Sequence, residues 1–342
     1  NERFMYISSL GFCIILAYLV YSALGKIFKT QKTANISFAV IAAIIFILYA
    51  GKSISRNTVW VNDYTLFTHD VHTSFESAKS TCSAGGKITE EAVKLREIRS
   101  KNNTVKSILE KIDKETLLPE REKAAFRDIS DVEQLKAAMA LREDTMLEQA
   151  IVYLKKAVEI HNRYVDAWIL LGNAHFHYNK DFEAAAACYY RIIQINPSYD
   201  KAFTNLEIIF NQCDSIDLKI TTWEKVYALN PNRFEVNYQL GNLFGRYKND
   251  VNKAIPYLEN AVRINPKSSI AYKDLGVAYG FSQRYEDAIK TLLKASELDP
   301  KDAQIPVNIG VTYQLIGKPE EAMVYFQKAK TIDPNYQIPQ MQ

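Results

Sequence analysis

Strong charge of either sign is missing from this sequence. Its 42 Lys and Arg against 39 Asp and Glu leave a formal charge of +3 over 342 residues. That argues against a nucleic-acid surface as the main function, because such a surface needs a concentrated basic patch. Paired cysteines are missing as well: Cys13, Cys82, Cys188 and Cys213 are scattered without a CxxC, so neither a zinc site nor a redox motif is signalled. There is no phosphate-cradling glycine loop, no Ser-His-Asp arrangement and no pair of carboxylates at a usable spacing. His69 and His72 stand three apart, a spacing that metal sites use, but a third ligand is not evident and a surface pair is the better reading. No catalytic, metal-binding or cofactor-binding residue is expected, and no cofactor. With 21 Tyr and 16 Phe the composition is that of a folded chain. The first residue is Asn1 rather than Met, so the sequence is read as a fragment or a processed product.

What is present is a phrase that returns at a fixed interval. One copy is Tyr272, Leu275, Gly276, Tyr279, Ala288, Leu292, Ala295 and Pro300; the next is Ile309, Gly310, Tyr313, Ala322, Phe326, Ala329 and Pro334. Closing prolines at 197, 231, 266, 300 and 334 set a period of 34 or 35 residues. Tyr272, Leu275 and Tyr279 share one helix face, as do Ala288, Leu292 and Ala295 on a second helix. Gly276 and Ala288 are small where the two helices touch. The pattern resembles the tetratricopeptide repeat (TPR), a helix-turn-helix unit that stacks because one unit cannot bury its apolar face alone. The expected fold is all-α: two transmembrane helices followed by a TPR α-solenoid, a right-handed superhelix. Clear repeats are expected at 165–199, 200–233, 234–268, 269–302 and 303–336, within an array over 131–342. His175 and Cys188 fall on core positions of their repeat. In the copy at Phe203, Glu207 replaces the glycine and Lys219 the alanine, which predicts a looser helix pair. Pro256 is expected to kink a second helix, and Pro306 lies near a helix start, where it is tolerated. Only NYQIPQMQ follows Pro334, so the apolar end of the last repeat is expected to be exposed or covered by a partner or oligomer contact.

Residues 1–56 read as a transmembrane hairpin. Phe4 to Leu24 is long enough to span a bilayer, and Ile36 to Ala50 is a shorter second run whose flanks, from Thr33 to Gly51, contribute. A secretory signal is the competing reading of the first run, although it does not explain the second. Tyr6, Tyr18, Tyr21, Tyr49 and Trp60 are candidate interfacial anchors. Lys26, Lys29 and Lys32 between the runs place that loop in the cytoplasm and the repeats outside it, in the periplasm, or in the ER lumen of a eukaryote. The lipid bilayer is therefore one expected partner.

Two short segments match something more specific. Asn1-Glu2-Arg3-Phe4-Met5-Tyr6-Ile7-Ser8-Ser9-Leu10-Gly11-Phe12 is similar to an E-R-Y-x-Y-x-P-S-x-G-F segment, and Arg56-Asn57-Thr58-Val59-Trp60 with Leu66-Phe67 resembles R-N-x-x-W…L-F. Both flank late membrane helices of the multispanning GT-C type protein O-mannosyltransferases with C-terminal TPRs. Ser8 stands where that family has Pro. The resemblance implies a lipid-phosphate-linked sugar donor and extracytoplasmic repeats. The family's catalytic acidic residues lie in a first external loop that this sequence does not contain, so none is carried over.

Residues 57–130 read as a juxtamembrane helical region with a charged linker. Ser74 to Gly86 resembles the first helix of a degenerate repeat, with Ala78, Cys82 and Gly85 as small contacts. Residues 96–130 are expected to be solvated helix and linker, with an acidic partner or lipid headgroups as the alternative contact. Leu147 to His161 restores the repeat phase, with Ala150, Leu154 and Ala157 at second-helix positions.

The candidate binding residues are Asn205, Gln239, Asp274 and Asn308, which recur two positions before the repeat glycine on four successive first helices. Stacking lines them up along the concave face, where they can bond an extended peptide; plain solvent-facing polarity is the competing reading. A similar asparagine ladder occurs in the nucleocytoplasmic O-GlcNAc transferase family. The dicarboxylate clamp of chaperone-binding repeats is not met, since Ile169, Thr204 and Tyr238 stand where that clamp has Lys. The sequence therefore reads as a membrane-anchored protein-binding module, the acceptor-recruiting C-terminal part of an O-mannosyltransferase-like enzyme. The rival is a non-enzymatic membrane scaffold that assembles an envelope complex.

Overall fold

The computed structural model describes residues 2–28, 30–57 and 61–336, with side chains over 15–28, 30–51 and 61–336. Among the described residues there are seventeen α-helices and one π-turn, and no strand.

Helices α1 (Glu2–Ile27) and α2 (Gln31–Asn57) form a hairpin. Near the turn, the Tyr21 hydroxyl donates to Asn35 Oδ1 at 3.0 Å and accepts from Gln31 Nε2 at 2.9 Å. Beyond that polar end the helices expose Leu19, Val40, Ile44, Phe46 and Leu48. One helix among the described residues, Gln31–Gly51, is long and apolar enough to cross a membrane. Of the expected first span, Ile15–Ile27 is apolar but shorter than a crossing, and the side chains before it lie outside the described residues, as do Tyr6 and Trp60. The expectation of two spans is thus met by one helix.

Five helix pairs follow one another along residues 165–332: α8 (Val165–His177) with α9 (Phe182–Ile195), α10 (Asp200–Gln212) with α11 (Ile216–Leu229), and α12 (Phe234–Asn242) with α13 (Val251–Ile264). Then come α14 (Ser269–Phe281) with α15 (Tyr285–Leu298), and α16 (Gln304–Leu315) with α17 (Pro319–Ile332). These numbers follow five helices that precede the array: α3 (Asp63–Thr73), α4 (Ala78–Lys101), α5 (Val105–Glu115), α6 (Glu120–Arg127) and α7 (Val132–Ile160). The pair contact is close. A Cβ on Gly276 would lie 2.6 Å from Leu292 Cγ, and one on Gly310 would lie 2.5 Å from the Phe326 ring. Ala288, Leu292, Ala295, Ala322 and Ala329 are fully buried around these crossings. Each second helix ends with a backbone N–H bonded four residues back, as Asp299 does to Ala295 O at 2.9 Å, and the proline that follows needs no donor.

Where Glu207 replaces the glycine, α10 and α11 stand apart, the one pair in the array without close backbone approach. Trp223 fills part of the gap, edge-on to Phe210 at 6.0 Å between centroids. The expected kink at Pro256 does not interrupt α13, which runs through it as helix. Pro256 and Asn252, whose carbonyl loses its partner, both face solvent, so water replaces the missing bond.

The region expected to be helical with a charged linker is helical, and its charged stretch is packed rather than solvated. Helices α5 and α6 bury Ile108, Ile112 and Phe126, with Leu118 between them. A Cβ on Gly85 of α4 would lie 2.5 Å from Leu154 Cγ and 3.0 Å from Ala150 O, both on α7. That repeats the relation of Gly276 to Leu292 and Ala288. Helix α4 and the second half of α7 are therefore the two helices of one repeat, split by an insertion that holds α5, α6 and the first half of α7. The division expected at residue 131 runs through this unit. Buried Glu143 secures it: Arg96 Nε donates to Oε1 at 2.5 Å and Arg99 Nη2 to Oε2 at 2.9 Å. Arg96 Nη2 also donates to His177 O at the end of α8, at 2.6 Å.

This assignment predicts that Gly85→Val lowers stability as Gly276→Val does, by about 1–3 kcal/mol from overpacking. Denaturant unfolding of both variants checks it; a neutral Gly85→Val would remove Gly85 from a helix crossing.

Candidate peptide-binding groove

The first helices of successive repeats present three residues each on one face, two before, one after and five after the glycine position. These are Asn205, Ile208 and Gln212; Gln239, Asn242 and Arg246; Asp274, Val277 and Phe281; Asn308, Val311 and Leu315. The structure brings three of the four candidate residues to two adjoining cavities. Asp274 and Asn308 line a cavity of about 540 Å³ with Asn242, Arg246, Phe281 and Gln304. Gln239 lines a neighbour of about 170 Å³ with Glu207, Trp223 and Asn242. Asn205, half-buried on α10, lines neither.

Asp274, expected among the residues that bond an extended peptide, is already engaged within the array. It is buried, and its carboxylate accepts from the Tyr238 hydroxyl at 2.9 Å, Asn242 Nδ2 at 3.2 Å and Arg246 Nη2 at 2.5 Å. Side chains of the preceding repeat fold over it, which the spacing of the repeat does not reveal. Burial, and then the Asp274 charge, push the Tyr238 phenol upward, so it stays a donor. Gln239 Nε2 donates to Glu207 Oε1 at 3.3 Å. Asn308 Oδ1 accepts from Gln304 Nε2 at 2.9 Å, and Gln304 Oε1 in turn accepts from the Tyr336 hydroxyl. Gln239 and Asn308 each retain amide bonding capacity toward their cavity. Burial raises the Glu207 carboxyl above the usual carboxylate range, with the Gln239 bond opposing it.

Arg246 and Asn242 are site residues that the repeat reading missed. They lie at and before a π-turn, Leu243–Tyr247, that continues α12. The signal was in the proline intervals: Pro231 and Pro266 are 35 apart, Pro266 and Pro300 are 34. The extra residue is taken up between Gly241 and Ala254. There the turn closes with Asp250 N bonded to Phe244 O at 2.9 Å, whereas the shorter repeat closes with Arg284 N bonded to Tyr279 O at 2.9 Å. Repeat 165–199 carries the same excess and absorbs it differently, through two left-handed residues, Asn179 and Lys180. His175 is buried there, and burial lowers its pKa, as it does for His177. Cys188 is a buried thiol pushed up to about 12 by burial. His69 lies on the surface, its Nδ1 3.5 Å from Asp70.

Known proteins similar to this chain share its repeats. The tetratricopeptide-repeat signature matches residues 165–199, 247–306 and 307–336. Tetratricopeptide repeats are present, and the described residues form an all-helical TPR solenoid, a protein-interaction module. Anaphase-promoting complex subunit 3 of Schizosaccharomyces pombe is 23% identical over 123 residues, which is 36% of this chain and 18% of that subunit. The match thus spans less than a fifth of the relative's own length. Among solved structures, YrrB, described as a TPR protein with an unusual peptide-binding site, is 22% identical with a TM-score of 0.45, over 54% of this chain and 93% of its own. MamA is 21% identical with a TM-score of 0.44, over 53% of this chain and 100% of its own.

Two outcomes follow from the site. Asp274→Ala removes charge-bearing hydrogen bonds and lowers stability by about 1.5–3 kcal/mol, while Asn308→Ala stays within about 0.5 kcal/mol; urea unfolding separates them, and equal effects would contradict the burial of Asp274. Glu207 has a folded pKa above its unfolded one, so its ionisation costs stability above the folded pKa and nothing below the unfolded value near 4.3. Glu207→Gln therefore raises the melting temperature at pH 7 and not at pH 4, read by thermal scans; a gain of the same size at both pH values would contradict this.

Proposed function

We propose that the chain is a membrane-tethered TPR module whose first-helix groove holds extended polypeptide. The observation that carries this is the convergence of Asn242, Asn308, Gln239 and Gln304, all with amide side chains, on two adjoining cavities along consecutive repeats. An extended peptide offers an N–H and a C=O at each residue, and an amide side chain can bond both. Each bond contributes about 0.5–1.5 kcal/mol net, so a row of them gives weak, sequence-tolerant binding. Asn205 joins the row as the next position on α10, and Asp274 acts by holding Arg246.

The apolar surface of the helix Gln31–Gly51 supports the tether, because a soluble chain rarely leaves so long a run uncovered. The polar Tyr21–Gln31–Asn35 cluster at the hairpin turn suits the interface on the lysine-loop side. In this reading the loop is cytoplasmic and the repeats lie outside, in the periplasm or, in a eukaryote, the ER lumen. The segments around Arg3 and Arg56 that resemble the GT-C protein O-mannosyltransferases support the further reading that the repeats recruit acceptor protein to a sugar-transfer site.

Two measurements test the proposal. Trypsin added to sealed right-side-out vesicles digests the repeats without detergent; survival until detergent is added refutes the topology. The triple variant Asn205→Ala, Gln239→Ala, Asn308→Ala binds a reduced, carboxymethylated unfolded protein at least tenfold more weakly, which needs only about 1.4 kcal/mol. Its thermal melt stays unchanged, and unchanged affinity refutes the groove.

A further inference from the structure

The larger cavity is chemically two-sided, with Arg246 of the π-turn on one side and α14 supplying the other. On one side stands Arg246. Its side chain is 59% exposed, yet its position is fixed by buried Asp274 at 2.5 Å. The anchor is itself held by Tyr238 and Asn242, so the guanidinium is pre-positioned before any ligand arrives. A guanidinium carries five N–H donors in a planar fork, and Asp274 accepts from Nη2 alone. The remaining donors are open to the cavity and to solvent. Lys273 adds a second cation to the lining, with its ammonium bonded to Asp302 at 2.6 Å. Asp274 is the one carboxylate among the lining residues, and it is spent on Arg246 and its neighbours.

On the other side stand Val277, Ala278 and Phe281 of α14, with Phe281 76% exposed. At the equivalent place five after the glycine, the groove changes character along the array, from Gln212 and Arg246 to Phe281 and Leu315. Leu315 is also half exposed. An exposed Phe and Leu at successive repeat positions, rimmed by amides, mark an interaction surface. The change from polar to apolar falls at this cavity.

We propose that this cavity is the specificity pocket of the groove, and that it takes a peptide carboxylate on Arg246 with an adjacent large apolar side chain on Val277 and Phe281. The proposal deepens the groove reading and rests on it. A carboxylate on the free arginine N–H groups makes charge-assisted bonds, which are about twice as strong as neutral ones. The amides of Asn242, Gln304 and Asn308 hold the backbone between the two anchors. The carboxylate comes from a Glu or Asp side chain or from a chain end, and the same arginine fork recognises either.

The test uses fluorescein-labelled ten-residue peptides of Gly, Ser and Ala, titrated by fluorescence polarisation against the intact chain in detergent. One peptide carries a central Glu-Leu; its controls carry Gln-Leu and Glu-Ser; a further pair ends in Leu as free acid or amide. The expected result is at least tenfold tighter binding of Glu-Leu over Gln-Leu, or of free acid over amide, and the arm that discriminates identifies the source of the carboxylate. Arg246→Gln reduces that discrimination below twofold, and Arg246→Lys restores part of it. Phe281→Ser removes the preference for Leu over Ser and leaves the charge preference in place. Discrimination that persists in Arg246→Gln overturns the proposal. Binding of all the peptides alike overturns it and leaves the groove standing, whereas binding of none overturns both. The Phe281→Ser melt stays unchanged. Arg246→Gln strands the buried Asp274 charge and melts lower, so the titrations are run well below the midpoint of every variant. Arg246→Lys, which keeps a cation on Asp274, separates lost recognition from lost fold.

Discussion

The structure depends on one contact, repeated in every pair of the array but α10–α11: a glycine on the first helix pressed against a large side chain on the second. At Gly276, Gly310 and Gly241 the partner is Leu292, Phe326 and Leu258, and in each case an added Cβ would come within 2.6 Å of it. The contact brings the two helices close enough for Ala288 or Ala322 to be buried completely. Close pairs then leave one face of every first helix unclaimed by the pair, and stacking lines those faces into a groove. Stability in such an array is close to a sum of unit and neighbour terms, so a change in one unit leaves the others standing.

Departures from the contact are where the groove acquires its chemistry. Glu207 in place of glycine opens α10 from α11 and leaves the small cavity that Gln239 lines. One extra residue between Gly241 and Ala254 is taken up as a π-turn, which sets Arg246 over Asp274. The same excess in repeat 165–199 is absorbed in the turn at Asn179 and Lys180 and leaves α8 regular. The way a single added residue is taken up therefore decides which side chains the end of a first helix presents. π-turns within helices recur at functional sites for this reason: they re-aim side chains without breaking the helix.

The repeats were legible because their contact is local in sequence and repeats in register: four of the five copies mark the same small and large positions, and the fifth keeps the period. The split unit was half legible. Gly85 and the Ala150–Leu154–Ala157 series each carried the pattern, but an insertion separates them, and periodicity cannot join residues so far apart. The insertion itself read as solvated because charges outnumber its few apolar residues, although Ile108 and Ile112 sit at helical spacing and are buried. In the groove, the ladder positions followed from the spacing, whereas the engagement of Asp274 did not, because its partners Tyr238, Asn242 and Arg246 belong to the preceding repeat. The uneven proline interval was the one trace of the π-turn.

The central claim is that the glycine contact defines the unit even when the chain between its two helices is long. Native-state hydrogen exchange on the intact protein tests this most directly. Amides of α4 around Gly85 and amides of Leu147–Ile160 are expected to open together, with one free energy and one denaturant dependence, as paired helices in a cooperative unit do. Exchange of α4 together with α5 and α6, at a free energy unrelated to that of Leu147–Ile160, would contradict it.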